Sequence, residues 1–163
     1  MLTTSQKSIL KSAILGDSAL NVFPNTSDGN YDLAVKLSVE LAAPAFTVWK
    51  THVLISEIGD AMISTEVSGL TTANLNRLMV FAAYNANSTM NPSLVDHRAG
   101  FDDVFSGAGG AGTRARLLVL WKRLATRVEK ILVASGTGSD ASPVILGFEG
   151  AISKDDVEDA RNS

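Results

Sequence analysis

The sequence predicts a mainly α-helical fold, a helical bundle with at most a small β-hairpin or strand pair. Three observations lead there. Apolar residues recur at steps of three and four along most of the chain, which places them on one side of a helix. Capping and turn residues stand between these stretches, where helices begin and end. Strand-like sequence is confined to two short runs, around residues 46–53 and 143–148. With 163 residues, 45% of them hydrophobic, the chain fits one globular domain able to bury a modest core.

Taken in order, Ile9, Leu10, Ala13 and Ile14 share one side of residues 5–15, and Gly16 closes that first amphipathic helix. Residues 16–30 (GDSALNVFPNTSDGN) are rich in turn formers and read as a loop. Leu33, Leu37 and Leu41, with Ala34 beside them, predict a second helix over 31–41. Pro44 breaks it, and AFTVWKTHVLI has strand-like composition, with Phe46, Val48, Lys50 and His52 on one face. Ser56 is placed to cap a helix carrying Ile58, Ala61, Met62 and Val67. Thr71 or Thr72 would cap the next, over 73–85, with Leu75, Leu78, Met79 and Ala82 inward. Pro92 opens a short helix reaching toward Phe105.

The most regular stretch is 113–133, where Leu117, Trp121, Leu124, Val128 and Ile131 recur at steps of four and three. That spacing predicts one long helix, with Leu117, Trp121, Leu124 and Val128 in the core. Residues 134–142 (ASGTGSDAS) read as an exposed loop, and 143–148 as a short strand able to pair with 46–53. Ser153 starts an acidic terminal helix with Asp156 in the capping-box position. The organisation is a single helical domain over 1–163. It has N-terminal helices in 1–43, a core over 44–150 around the long helix, and an acidic docking helix over 151–163.

Function classes are narrowed by what the chain lacks. A net charge of -3 and a pI near 5.3 argue against a sequence-independent DNA binder with a broad basic surface. The absence of cysteine removes thiolate nucleophiles and zinc–cysteine sites. The opening MLTTSQKSILKSAIL has no long apolar core or small-residue cleavage site. The longest apolar runs, 41–46 and 117–121, fall far short of the roughly 20 residues of a membrane span. A soluble protein made in the cytoplasm, with no membrane contact, is expected.

Gly107, Gly109 and Gly112 spell a literal G-x-G-x-x-G ahead of the long helix. A dinucleotide fingerprint follows a buried strand, so that backbone amides and a helix N-terminus meet the pyrophosphate. Here Phe101-Asp-Asp-Val-Phe105 precedes it, bringing two carboxylates where phosphate should approach. The P-loop spacing fails as well, because Thr113 and Arg114 stand where Lys and Ser/Thr are required. The segment reads instead as a joint of Gly107, Gly109, Gly110 and Gly112 that leaves Thr113 room to cap the helix. No cofactor is expected.

Of the two histidines, His97 sits in Asp96-His97-Arg98, but neither it nor His52 has a nucleophile elbow to serve. Asp102 and Asp103 point to different sides of any regular element. Asp155, Asp156, Glu158 and Asp159 lack the alternation of a calcium loop. Nothing singles out an acid/base pair such as Asp103 with Glu149 among the 17 acids. No catalytic or metal-ligating residue is assigned, and no enzymatic activity is expected.

Charge is segregated. Residues 113–133 carry six bases (Arg114, Arg116, Lys122, Arg123, Arg127, Lys130) against Glu129, and 149–163 carry five acids against Lys154 and Arg161. On a continuous helix Arg116, Arg123, Arg127 and Lys130 would line one face. That face reads as a solvated surface, as an intersubunit contact with Asp155, Asp156, Glu158 and Asp159 of another copy, or as a phosphate-binding strip.

The segments PAFTVWKTHV, DVFSGAGGAGTRARLLVLWKR, LATRVEKILVASGTGSDASP and FEGAISKDDVEDAR resemble a family of small virion-region proteins of tailed bacteriophages. The resemblance covers most of the chain after Pro44 and contains no catalytic motif. It implies a structural protein of the particle, a head–tail connector of adaptor type in the neck, forming a homo-oligomeric ring between portal and tail. DNA would pass nearby without specific binding, and the location would be the virion. A tail-completion, tail-assembly or other tail protein is the first alternative. A small nucleotide-binding enzyme using the 107–112 glycines is a more remote one.

Overall fold

A computed structural model of the chain describes residues 1–84, 89–133 and 136–163. It is 58% helical, with ten α-helices and two small two-stranded sheets among the described residues, so the mainly α prediction holds. The chain divides into two compact units, Met1–Val48 with Leu124–Ser163, and Trp49–Arg123.

The N-terminal helices form where the sequence supplies caps. The Thr3 hydroxyl accepts from the Gln6 amide, and the Gln6 side chain accepts from the Thr3 amide, which starts α1 (Thr4–Gly16). The 16–30 segment is not wholly loop. Asp17 caps a one-turn helix, α2 (Ser18–Asn21), and Thr26 caps α3 (Ser27–Val39) four residues earlier than expected. The turn formers there act as N-caps, whose side-chain oxygens satisfy amides that have no partner within the helix.

The strand-like run yields β1 (Thr47–Trp49) and β2 (Val53–Leu54). The next helix starts before Ser56: the Leu54 amide donates to the Glu57 carboxylate at 2.9 Å, opening α4 (Ile55–Ala61). Met62 and Ile63 are extended, so the segment restarts as α5 (Ser64–Ser68) rather than running on to Val67. Thr71 caps α6 (Thr72–Tyr84) as expected, its hydroxyl accepting from the Asn74 amide. Asn85 lies outside the described residues. β3 (Thr89–Met90) pairs antiparallel with β2, Val53 opposite Met90, and α7 (Val95–Val104) follows.

The long helix over 113–133 is not formed. α8 (Ala111–Leu120) ends at Trp121, β4 (Lys122–Leu124) is extended and paired with β1, and α9 (Arg127–Ile131) is a separate short helix. Thr126 and Glu129 supply a complete capping box for α9. A capping box marks a helix start, and this one lies inside the stretch whose apolar period suggested continuity. The 143–148 run does not become a strand; it meets β1 at one bridge, Val48 with Val144. Residues 134–135 of the expected loop lie outside the described residues. Ser153 caps α10 (Lys154–Asn162) with Asp156, as predicted.

Each unit has its own core. In the first, Leu10, Ile14, Leu20, Leu33, Leu37, Val128, Val157 and Ala160 close a helical cluster, while Phe46, Val48, Ala125 and Val144 form a smaller one. In the second, Val53, Ile58, Met90, Phe101, Val104, Phe105, Leu117 and Trp121 pack together. Of the four core residues expected on the long helix, Leu117, Trp121 and Val128 are buried and Leu124 is 44% exposed. The break explains this: Leu124 sits on a strand, with no helical turn behind it to carry it inward.

Candidate functional site

The glycine segment is already occupied by the protein itself. The Gly112 and Thr113 amides, at the N-terminus of α8, donate to the two oxygens of the Glu66 carboxylate at 3.0 and 2.7 Å. A carboxylate on the free amides of a helix start is favoured by both hydrogen bonding and the helix dipole. Hydrogen bonds from Thr113, through its side chain and then its amide, hold the Glu66 carboxyl below its usual range. Partial burial opposes them, and the Gly112 amide and Arg114 reinforce them. Thr113 is therefore not the N-cap: α8 begins at Ala111, and the buried Thr113 hydroxyl accepts from the Ile63 amide at 3.1 Å. Ahead of α8, Gly107 adopts φ 79°, Ala108–Gly110 forms a 3-10 turn, and the Arg114 guanidinium donates to the Gly107 carbonyl at 3.0 Å.

This geometry gives a pH-dependent expectation. A carboxyl whose folded pKa is lowered binds fewer protons folded than unfolded, so its stabilisation is present above the unfolded value near 4.5 and is lost as pH falls through the folded one. Glu66→Gln, neutral throughout, should melt lower than wild type at pH 7. The gap should close as acid protonates Glu66, which thermal melts at pH 7, 5 and 3 measure directly. A gap unchanged at pH 3 would remove the charge from the explanation.

The charged residues expected at an interface are spread through the fold. Arg127 is engaged within its unit by Asp17 and Glu40, the latter at 3.0 Å. Asp17 is held below its ordinary value by the Ala19 amide first and then by Arg127. Glu40 is lowered chiefly by Lys36, against partial burial, with Arg127 contributing. Lys130 donates to the Pro44 carbonyl at 3.0 Å. Arg116 is exposed on α8, and Arg123 lies on β4. On α10, Asp156 accepts from the Leu2 amide at 2.9 Å, Asp159 pairs with Lys7 at 2.6 Å, and Asp155 lies 3.7 Å from Lys154. Glu158 is exposed. Because the helix breaks at Trp121, the four bases do not share a helical face.

His52 meets the Thr51 hydroxyl at 2.9 Å. His97 packs edge-on against Phe81, ring centroids 5.7 Å apart, and its buried Nδ1 has no hydrogen-bond partner among the described residues. Asp103 belongs to the second unit and Glu149 to the first. Among the described residues no three acids or histidines gather as a metal site would require. Among the described residues no helix is long and apolar enough to cross a membrane.

What the structure does present is uncovered apolar surface in two places, one between α6 and α7 and one on α3. In the second unit, α6 and α7 flank an open groove of about 690 Å³ lined by Val80, Phe81, Gly100 and Val104, with Arg77 and Asp103 on its walls. Gly100 opens this space: a Cβ there would stand 2.9 Å from the Phe81 ring. Met79, expected inward, is 69% exposed on α6, and Val80 in the groove is 54% exposed. In the first unit, Tyr31, Val35 and Val39 recur every four residues on the outer side of α3, with exposures of 59%, 44% and 72%. Core-facing periodicity made Leu33 and Leu37 legible. The second apolar stripe on the same helix is legible by the same spacing, and the sequence reading missed it.

The chain matches no protein-family model, no curated protein and no solved structure.

Proposed function

We propose that this chain is a structural virion protein of a tailed bacteriophage, a head–tail connector subunit of adaptor type that assembles into a ring between portal and tail. The observation that carries the reading is the pair of uncovered apolar helix faces, α3 in one unit and the α6–α7 groove in the other. Contiguous exposed apolar surface rimmed by charge is the mark of a protein contact. The resemblance of four segments to virion-region proteins supports it. So does the helical fold, since adaptor-type rings are built of repeated helical subunits whose head-to-tail contacts close. The net charge of -3 suits a channel through which DNA passes without being gripped.

The reading is tested by mass spectrometry of purified particles, with light scattering of the isolated chain with and without portal. The expected result is a stoichiometric particle component and a mass that rises with portal. Presence in infected cells but absence from finished particles would replace the connector role with that of an assembly factor. A nucleotide titration completes the test. Because Glu66 holds the α8 amides, ATP, NAD and GTP should show no micromolar binding.

A further inference from the structure

From the two apolar faces we infer that the α6–α7 groove is the seat for α3 of a second copy of this chain. The inference rests on the proposed self-assembly and names the surfaces that perform it. Tyr31, Val35 and Val39 present the i, i+4, i+8 pattern by which a helix lies in an apolar groove. At 1.5 Å per residue that stripe is about 12 Å long, and the α7 wall from His97 to Val104 is about 10 Å. The two lengths match.

Charge selects the pairing. Asp28 and Asp32 are exposed beside the α3 stripe, and neither forms an ion pair among the described residues. Arg77 on the groove wall is likewise unpaired there. Acids flanking the inserted helix thus meet an uncommitted guanidinium in the receiving groove. Lys154, which borders the α3 stripe, supplies the opposite charge for Asp103 across the groove. Such complementarity fixes register and orientation while apolar burial supplies the affinity. The contact is heterologous, because α3 of one copy meets the α6–α7 groove of another, so successive copies chain head to tail and a suitable rotation closes a ring.

Two exposed substitutions test it, Val35→Asp on the inserted stripe and Val80→Asp in the groove, with circular dichroism to verify folding. Each alone should weaken self-association by about thirtyfold or more, the loss of one interface hot spot. Mixed together they should form a discrete heterodimer and nothing larger, since one good stripe and one good groove remain. Arg77→Glu should also weaken association, and Asp32→Arg in the same chain should restore part of it. Normal association of Val35→Asp would overturn the inference, as would failure of the mixture to pair. A groove variant that loses portal binding while self-assembling normally would assign the groove to portal and overturn it too. In these outcomes the chain still belongs to the particle, whereas its absence from purified particles defeats the function itself.

Discussion

Trp121→Ala is expected to destabilise the Trp49–Arg123 unit by about 3–5 kcal/mol, the cost of emptying a large aromatic site from a closed core. Trp121 is 1% exposed and meets Phe101 edge-on at 5.6 Å, and Phe101 in turn meets Phe81 at 5.0 Å. Removing the indole leaves a cavity at the end of that aromatic row and withdraws packing from Leu117 and Phe105. Trp121→Phe should cost clearly less. It keeps a ring against Phe101 and removes the indole N–H, which is buried with no hydrogen-bond partner among the described residues. Urea unfolding followed by near-ultraviolet circular dichroism measures both. Equal losses for Ala and Phe would mean that the edge-on packing contributes nothing.

Gly110→Ala is expected to cost about 3 kcal/mol, at the upper end for forcing atoms into a packed site. A Cβ there would lie 2.2 Å from the Phe105 carbonyl oxygen and 2.7 Å from its carbon and Cα, and Phe105 is fully buried. Backbone held in a core cannot step aside. Gly109→Ala meets nothing within 4 Å and should be neutral or slightly stabilising, because alanine restricts the unfolded chain more than glycine does. The ranking separates two ideas about the segment. A nucleotide fingerprint needs Gly109, where the backbone approaches a pyrophosphate, and is indifferent to Gly110. Packing demands the reverse order, and thermal melts of the two variants decide it.

What was legible in the sequence was local. The caps at Thr71 and Ser153, the stop at Gly16 and the inward Leu10, Ile14, Leu33 and Leu37 follow from hydrogen bonds and periodicities that span a few residues, whereas Ile9 and Leu41, placed on the same faces, are 39% and 58% exposed. The break after Leu120 was legible in part, through the Thr126–Glu129 capping box. The apolar period across it was the louder signal, because Leu117, Trp121 and Val128 are all buried, though in two different units. A period records that residues face a core. It does not record that they face the same core.

Tertiary structure alone decided the rest. No local pattern could assign Glu66 to amides 46 and 47 residues away, or Arg127 to Asp17 and Glu40. Nor could composition reveal which apolar stripe stays uncovered: Leu33 and Val35 are two residues apart on one helix, one sealed in a core and the other facing out. The sequence by itself determined that the chain is mainly helical and where α1, α6 and α10 start, since capping is settled within one turn. Which charges are already satisfied, and which apolar faces await a partner, depends on chain segments brought together from far apart, and only the folded protein holds that information.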